Sequence, residues 1–219
     1  LTDITMRTDY ATMLGYTQEE LEADFAEHID YTAKHLQLPR KELLSRLKEW
    51  YNGYRFEENA VTVYNPVSIA KFFESGGKFH TYWFETGTPT FLVEILKKCP
   101  VEFDELTLHE TSMNSYDPAD ITPLTLLFQT GYLTVESCDM TGMGNIYHLR
   151  FPNKEVEISF SFTLARALSS AADALLSRTC QNIVKAFRSA GIDTAMENMA
   201  VLFSQVPNEI TLPYEKYYQ

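Results

Sequence analysis

Apolar positions in the first part of the chain recur at helical spacing. Leu21, Phe25, Ile29, Ala33 and Leu36 fall on one face, which predicts an amphipathic helix over roughly 18–36. Thr17 and Glu20 precede it as a capping box, hydroxyl and carboxylate each satisfying a free backbone N–H of the first turn. Leu43, Leu44, Leu47, Trp50 and Tyr51 form a second stripe, with Pro39 suited to the first turn of that helix and Gly53 to its C-terminal stop. Tyr54-Arg55-Phe56 and Val61-Thr62-Val63-Tyr64 then flank the polar Glu57-Glu58-Asn59, the pattern of a small hairpin.

A capping side chain stands directly before proline at Asn65-Pro66, Thr88-Pro89 and Thr122-Pro123. The cap accepts from an orphan N–H, and proline, which has none, fits the first helical position. Helices are therefore expected through Phe73, Lys98 and Thr130. Residues 99–118 read as irregular and polar, the best place for a boundary. After Gly131, a strand over Tyr132–Glu136, a turn-rich loop over 139–145 and an alternating strand over Ile146–Phe151 predict a hairpin. Helix followed by hairpin is the second half of a winged-helix unit. Asn153 caps a further helix carrying Val156, Phe160, Leu164 and Leu168. Two more helices are expected over about 173–189 and, capped by Asp193, over 194–204. The fold class is mainly α with small β-hairpins.

Composition keeps the chain in the globular class, with 45% hydrophobic and 22% charged residues over a length of 219 that can bury one large core or two small ones. Charge alters the functional picture more. Residues 1–110 carry 19 acids against 11 bases and residues 111–219 carry 11 against 7, so neither half is basic. Affinity for nucleic acid rests on phosphate neutralisation by Lys and Arg, which argues against such a partner. No apolar run approaches the roughly 18 residues that span a bilayer, so no membrane role is expected. Three scattered cysteines and no Asn-x-Ser/Thr sequon point to reduced thiols and a cytoplasmic setting. The chain opens on Leu1-Thr2-Asp3-Ile4-Thr5 with neither a signal pattern nor Met, which suggests a piece of something longer.

Catalytic patterns fail one by one. No G-x-x-x-x-G-K-[ST] loop is present to cradle phosphates, and Gly142-Met143-Gly144 ends on Tyr147 where G-x-G-x-x-G needs glycine. The five histidines are scattered, and His109-Glu110 has no second histidine four positions on, so no metal site is expected. There is no G-x-S-x-G. No lysine has an acid two positions before it, which excludes the PD-(D/E)xK nuclease pattern. No catalytic residue is assigned. The aromatic runs Trp50-Tyr51-Asn52-Gly53-Tyr54-Arg55-Phe56 and Tyr82-Trp83-Phe84-Glu85-Thr86-Gly87 are read first as packing and second as a contact surface. The helix near Leu124–Gln129 carries no Lys or Arg. Only Arg150 and Lys154, near the wing, could touch nucleic acid.

These runs resemble a known family. Trp50–Phe56, Tyr64-Asn65-Pro66-Val67-Ser68, Tyr82-Trp83-Phe84-Glu85-Thr86-Gly87-Thr88-Pro89-Thr90-Phe91-Leu92, Leu126-Leu127-Phe128-Gln129-Thr130-Gly131-Tyr132-Leu133-Thr134 and Phe151-Pro152-Asn153-Lys154-Glu155-Val156 are similar, in that order, to the bacterial predicted AAA-ATPase-like family. The resemblance covers about 1–165. It implies a whole protein that uses ATP and magnesium and is commonly fused to a PD-(D/E)xK nuclease-like domain. The family's phosphate loop and magnesium-binding motif lie upstream of the counterpart of Leu1, and its nuclease motif beyond Gln219, so neither is carried onto this chain and no cofactor is expected in it. What the resemblance leaves is a helical lid-like domain with a small hairpin over 1–110, a winged-helix-like unit over 111–168 and a helical connector over 169–219. Its partners would be the upstream ATPase core and the downstream nuclease-like domain. Arg55 is the candidate for sensing the nucleotide, and Trp50, Tyr51, Tyr54, Phe56, Tyr82 and Trp83 form an aromatic contact cluster. The alternative is a nucleic-acid-binding winged-helix module.

Overall fold

The computed structural model describes residues 6–83, 90–99, 101, 103, 105–113, 121–169, 172–189 and 191–206. The opening Leu1–Thr5, the Thr88-Pro89 helix start, the 84–87 part of the second aromatic run and the tail from Pro207 lie outside the described residues. In chain order the first elements are α1 (Gln18–Asp24), α2 (Ala26–His35), α3 (Arg40–Tyr51), α4 (Pro66–Glu74) and α5 (Thr90–Lys98). There follow β1 (Thr107–His109), α6 (Glu110–Met113), α7 (Pro123–Gln129), β2 (Thr134–Thr141) and β3 (Gly144–Arg150). The last are α8 (Lys154–Leu168), α9 (Asp173–Arg188) and α10 (Ile192–Phe203). The described chain is thus mainly helical with a small antiparallel sheet. Contacts divide it into two compact units, Leu1–Thr88 with Val101–Phe160, and Pro89–Pro100 with Ser161–Gln219.

In the first unit the local signals set the helix starts. Thr17 Oγ1 accepts from the Glu20 N–H at 3.2 Å while Glu20 Oε2 accepts from the Thr17 N–H at 2.8 Å. Asn65 Oδ1 accepts from the N–H groups of Val67 and Ser68, and Thr122 Oγ1 from that of Thr125. The expected single helix over 18–36 is broken at Phe25, whose φ of −109° and ψ of 18° leave the helical region. No Gly or Pro causes this. The Phe25 ring stacks on Phe73 at 5.5 Å and meets Tyr16 edge-on at 5.2 Å, and packing there sets the chain direction. Pro39 lies one position ahead of the expected first turn. It caps α3 with an extended ψ of 138°, and its carbonyl accepts from Glu42 and Leu43. Leu21, Ile29, Leu43, Leu47, Tyr51, Tyr64, Ile69 and Phe72 close a dry core.

The hairpin expected over 54–64 reduces to one bridge, with the Val63 N–H donating to the Tyr54 carbonyl at 2.8 Å. The reason is competition. Tyr64 exchanges both backbone bonds with Tyr16, and the Arg55 N–H leaves for another element. The sheet has the order β1-β3-β2, antiparallel throughout. Segment 99–118, expected to be irregular, contributes β1 and α6 among its described residues. Thr107, Leu108 and His109 pair with His148, Tyr147 and Ile146. Three residues are too few to carry a pattern of their own, and β3 provides the partner. This pairing also puts residues on both sides of position 110 into one sheet. The loop expected over 139–145 contracts to a turn at Gly142-Met143, because Asp139, Met140 and Thr141 continue β2 as exposed strand residues opposite β3. Asn153 Oδ1 accepts from the Val156 N–H and starts α8 as expected.

In the second unit α9 and α10 run antiparallel. Leu176, Thr179 and Ala186 of α9 and Ala195 of α10 are buried. α10 starts at Ile192, with Gly191 in the cap position, so Asp193 sits in the first turn and does not cap a helix over 194–204. Arg166 pairs with Asp173 at 2.9 Å. No described helix is long and apolar enough to cross a membrane.

Candidate functional site

Described residues from each of the motif runs that are scattered along the sequence meet at one joint in the first unit. α3 delivers the first of them. It ends at Tyr51, and Asn52 and Gly53 turn the chain. Gly53 has φ of +120°, and a Cβ there would collide with the Pro152 carbonyl, so only glycine lets the two backbones touch. Two residues on, Arg55 is stitched to β2. Its N–H donates to Thr134 Oγ1 at 2.7 Å, the same hydroxyl donates to the Arg55 carbonyl at 2.8 Å, and Nη1 donates to the Glu136 carbonyl at 2.8 Å. Glu136 also lies beside Arg150, with Nε and Oε1 4.0 Å apart.

The second stitch is a buried carboxylate. Glu155, in the first turn of α8, is 0% exposed. It accepts from Ser68 Oγ at 2.7 Å and from the Trp83 N–H at 2.8 Å. Acid at a helix N-terminus is favoured by the dipole, which offsets part of the cost of burying it. Burial pushes the Tyr51 and Tyr54 hydroxyls well above their ordinary pKa, and the neighbouring Glu155 charge adds to the shift. Trp83 packs edge-on against Tyr132, which burial raises to about 12.

The aromatic cluster divides between roles. Tyr51 is fully buried, exchanging hydrogen bonds with the His80 backbone. Tyr82 is buried with its hydroxyl on Ser75 and the Lys78 carbonyl. Trp50 is half-buried and packs on Phe79. Tyr54 and Phe56 stack and, with Arg55, Tyr10, Phe128 and Leu133, line a mainly apolar cavity of about 440 Å³. Lys154 is placed by Glu49 at 2.9 Å and lies 5.4 Å over the Trp50 ring. Arg150 donates to the Phe151 and Pro152 carbonyls. Both cations therefore have intramolecular partners. Among the described residues no three His, Cys, Asp or Glu side chains gather into a group that could hold a metal, and the three cysteines are free.

Reading the sequence did not single out Thr134, Glu136, Ser68 or Glu155. Ser68, Thr134 and Glu155 do fall inside the runs that resemble the family, but an acid in a helix first turn, taken alone, usually means a solvated residue.

No family model matches the chain, and no solved structure matches it. It is similar to the "uncharacterized protein in vnfD 5′ region" of Azotobacter chroococcum mcd 1, with 34% identity over 167 residues. Those residues make up 75% of this chain and 30% of that protein. The chain thus spans about a third of its relative's length.

Proposed function

We propose that this chain is the non-catalytic lid and winged-helix portion of an AAA-ATPase-like protein, and that it couples the nucleotide state of an upstream core to a downstream nuclease-like domain. The observation that carries the reading is the joint. Five runs that resemble the family lie far apart in sequence, and each contributes to it: Gly53 and Arg55, Ser68, Trp83, Tyr132 and Thr134, and Pro152 with Glu155. The winged-helix-like unit expected over 111–168 is supported by the strand order, in which β1, just ahead of it, pairs with the last strand of the hairpin. The longer relative agrees with a chain that works as part of a larger protein.

Coupling requires a lid whose contacts differ in free energy between nucleotide states, and a connection stiff enough to pass the difference on. A joint made of backbone-to-side-chain hydrogen bonds and a buried carboxylate is stiff for a physical reason. Opening it leaves the buried Glu155 carboxylate and its Ser68 partner unpaired. Arg55 would report the nucleotide from the edge of this joint. ATP and magnesium belong to the upstream core.

The test has two arms. Calorimetry of the chain with magnesium-ATP is expected to give no binding heat, and tight binding would refute a separate nucleotide core. In the longer protein, Arg55→Ala is expected to lower ATP turnover by about tenfold or more, within the range of a lost charge-stabilising group. Unchanged turnover would remove Arg55 from the mechanism.

A further inference from the structure

The α9–α10 hairpin has a second apolar face that, among the described residues, nothing in its own unit covers. Val184 and Phe187 on α9, and Ile192, Met196 and Phe203 on α10, are between 49% and 65% exposed. Their positions are not scattered. At about 100° per residue, Cys180, Val184 and Phe187 lie along one flank of the buried Leu176–Thr179–Ala186 stripe. Ile192, Met196, Ala200 and Phe203 repeat at four, four and three along one flank of α10. Asn182 hydrogen-bonds Asn198 at 3.3 Å on the opposite side of the hairpin. That bond fixes the register of the antiparallel pair. Val184 stands level with Met196, and Cys180 with Ala200, so the two flanks merge into one face.

We propose that this face binds the same face of a second copy of the chain, forming an antiparallel four-helix bundle. Size supports an interface. At these exposures the five side chains present roughly 500 Å² per copy, and two facing copies would bury about 1,000 Å², the threshold of a specific contact. Charge selects the occupant and the geometry. α9 carries Arg178, Lys185 and Arg188 against Asp173, which is already paired with Arg166. α10 carries Asp193 and Glu197 and no base. A two-fold axis parallel to the helices lays basic α9 on acidic α10 of the other copy. It keeps every neighbouring pair antiparallel and brings Val184 level with Met196 across the interface. The other two-fold arrangement, with its axis across the helices, stacks α9 on α9 and puts like charges together. The proposal stands independently of the lid reading, since it uses only residues of the second unit.

Sedimentation equilibrium of the whole chain at low salt tests it. A reversible monomer–dimer equilibrium is expected. Phe187→Ser and Met196→Ser should each raise the dissociation constant by about tenfold or more with far-UV circular dichroism unchanged, because both side chains are already exposed in the monomer. Charge reversal gives the sharper arm. Lys185→Glu with Arg188→Glu makes both helices acidic, and Asp193→Lys with Glu197→Lys makes both basic. Each double variant should be monomeric alone, and an equal mixture should form a heterodimer. A wild-type chain that stays monomeric up to its solubility limit would overturn the proposal and leave the face to another segment of a longer protein or to a different partner. A dimer insensitive to Phe187→Ser would overturn it too, as would a charge-reversed mixture that fails to associate.

Discussion

Removing the Glu155 carboxylate should weaken the protein through its partners more than through lost packing. Glu155→Ala leaves the buried Ser68 hydroxyl and the half-buried Trp83 N–H without this acceptor. Each buried donor so exposed costs about 1–3 kcal/mol. The truncated side chain leaves a small cavity, adding on the order of 1 kcal/mol. Against this, an ion no longer has to be desolvated, a relief of several kcal/mol when burial is complete. The net expectation is a loss of about 2 kcal/mol, or roughly 4–8 °C in Tm for a chain of this size. Glu155→Gln keeps the volume and one acceptor oxygen, and the Ser68 hydroxyl can rotate to accept from the amide, so its cost should be about 1 kcal/mol. The decisive measurement is a double-mutant cycle of Ser68→Ala and Glu155→Ala by urea unfolding, followed by tryptophan fluorescence and far-UV circular dichroism. Ser68→Ala alone leaves a buried charge with one donor fewer, so the coupling energy should reach about 1.5–3 kcal/mol. Additive losses, with coupling below about 0.5 kcal/mol, would refute the idea that this carboxylate holds the joint closed.

Two further outcomes follow from the same joint. Gly53→Ala puts a methyl against the Pro152 carbonyl at a φ of +120°, and should cost about 2–4 kcal/mol in urea unfolding; a neutral result would mean that the two backbones are not in contact. The buried tyrosines set the alkaline limit. Burial raises the folded-state pKa of Tyr51, Tyr54 and Tyr64 above the ordinary value of 10.0, and that of Tyr132 to about 12. The unfolded chain therefore loses these protons first. Stability is fully present below pH of about 10 and falls as pH rises beyond it, so phenolate absorbance from these rings should appear together with loss of circular dichroism. Their titration in a still-folded chain would contradict the burial.

Much of the fold is written in short stretches of sequence. Asn65-Pro66, Thr122-Pro123, the Thr17–Glu20 box and Asn153 each start a helix where the residues require it, because a cap and its orphan N–H lie two or three positions apart. The apolar stripes of α1, α2 and α3 likewise identified Leu21, Ile29, Leu43 and Leu47 as core. Period and cap are properties of neighbouring residues, so one chain suffices to read them. Arg55 and the aromatic run around it were also recognisable, as unusual residues and by resemblance, but not the partners they meet.

The tertiary structure decided the rest. β1 is a strand because β3 lies beside it, and Phe25 breaks a helix because Phe73 and Tyr16 hold its ring. The hairpin at 54–64 gave way to a bridge once Tyr16 and Thr134 competed for its backbone. Glu155 lies 87 positions from Ser68 and 72 from Trp83, and Arg55 lies 79 from Thr134. No local rule distinguishes an acid that will be buried from one that will face water. A carboxylate is tolerated in a dry site only when donors from other segments arrive with it, and that meeting is a property of the whole fold.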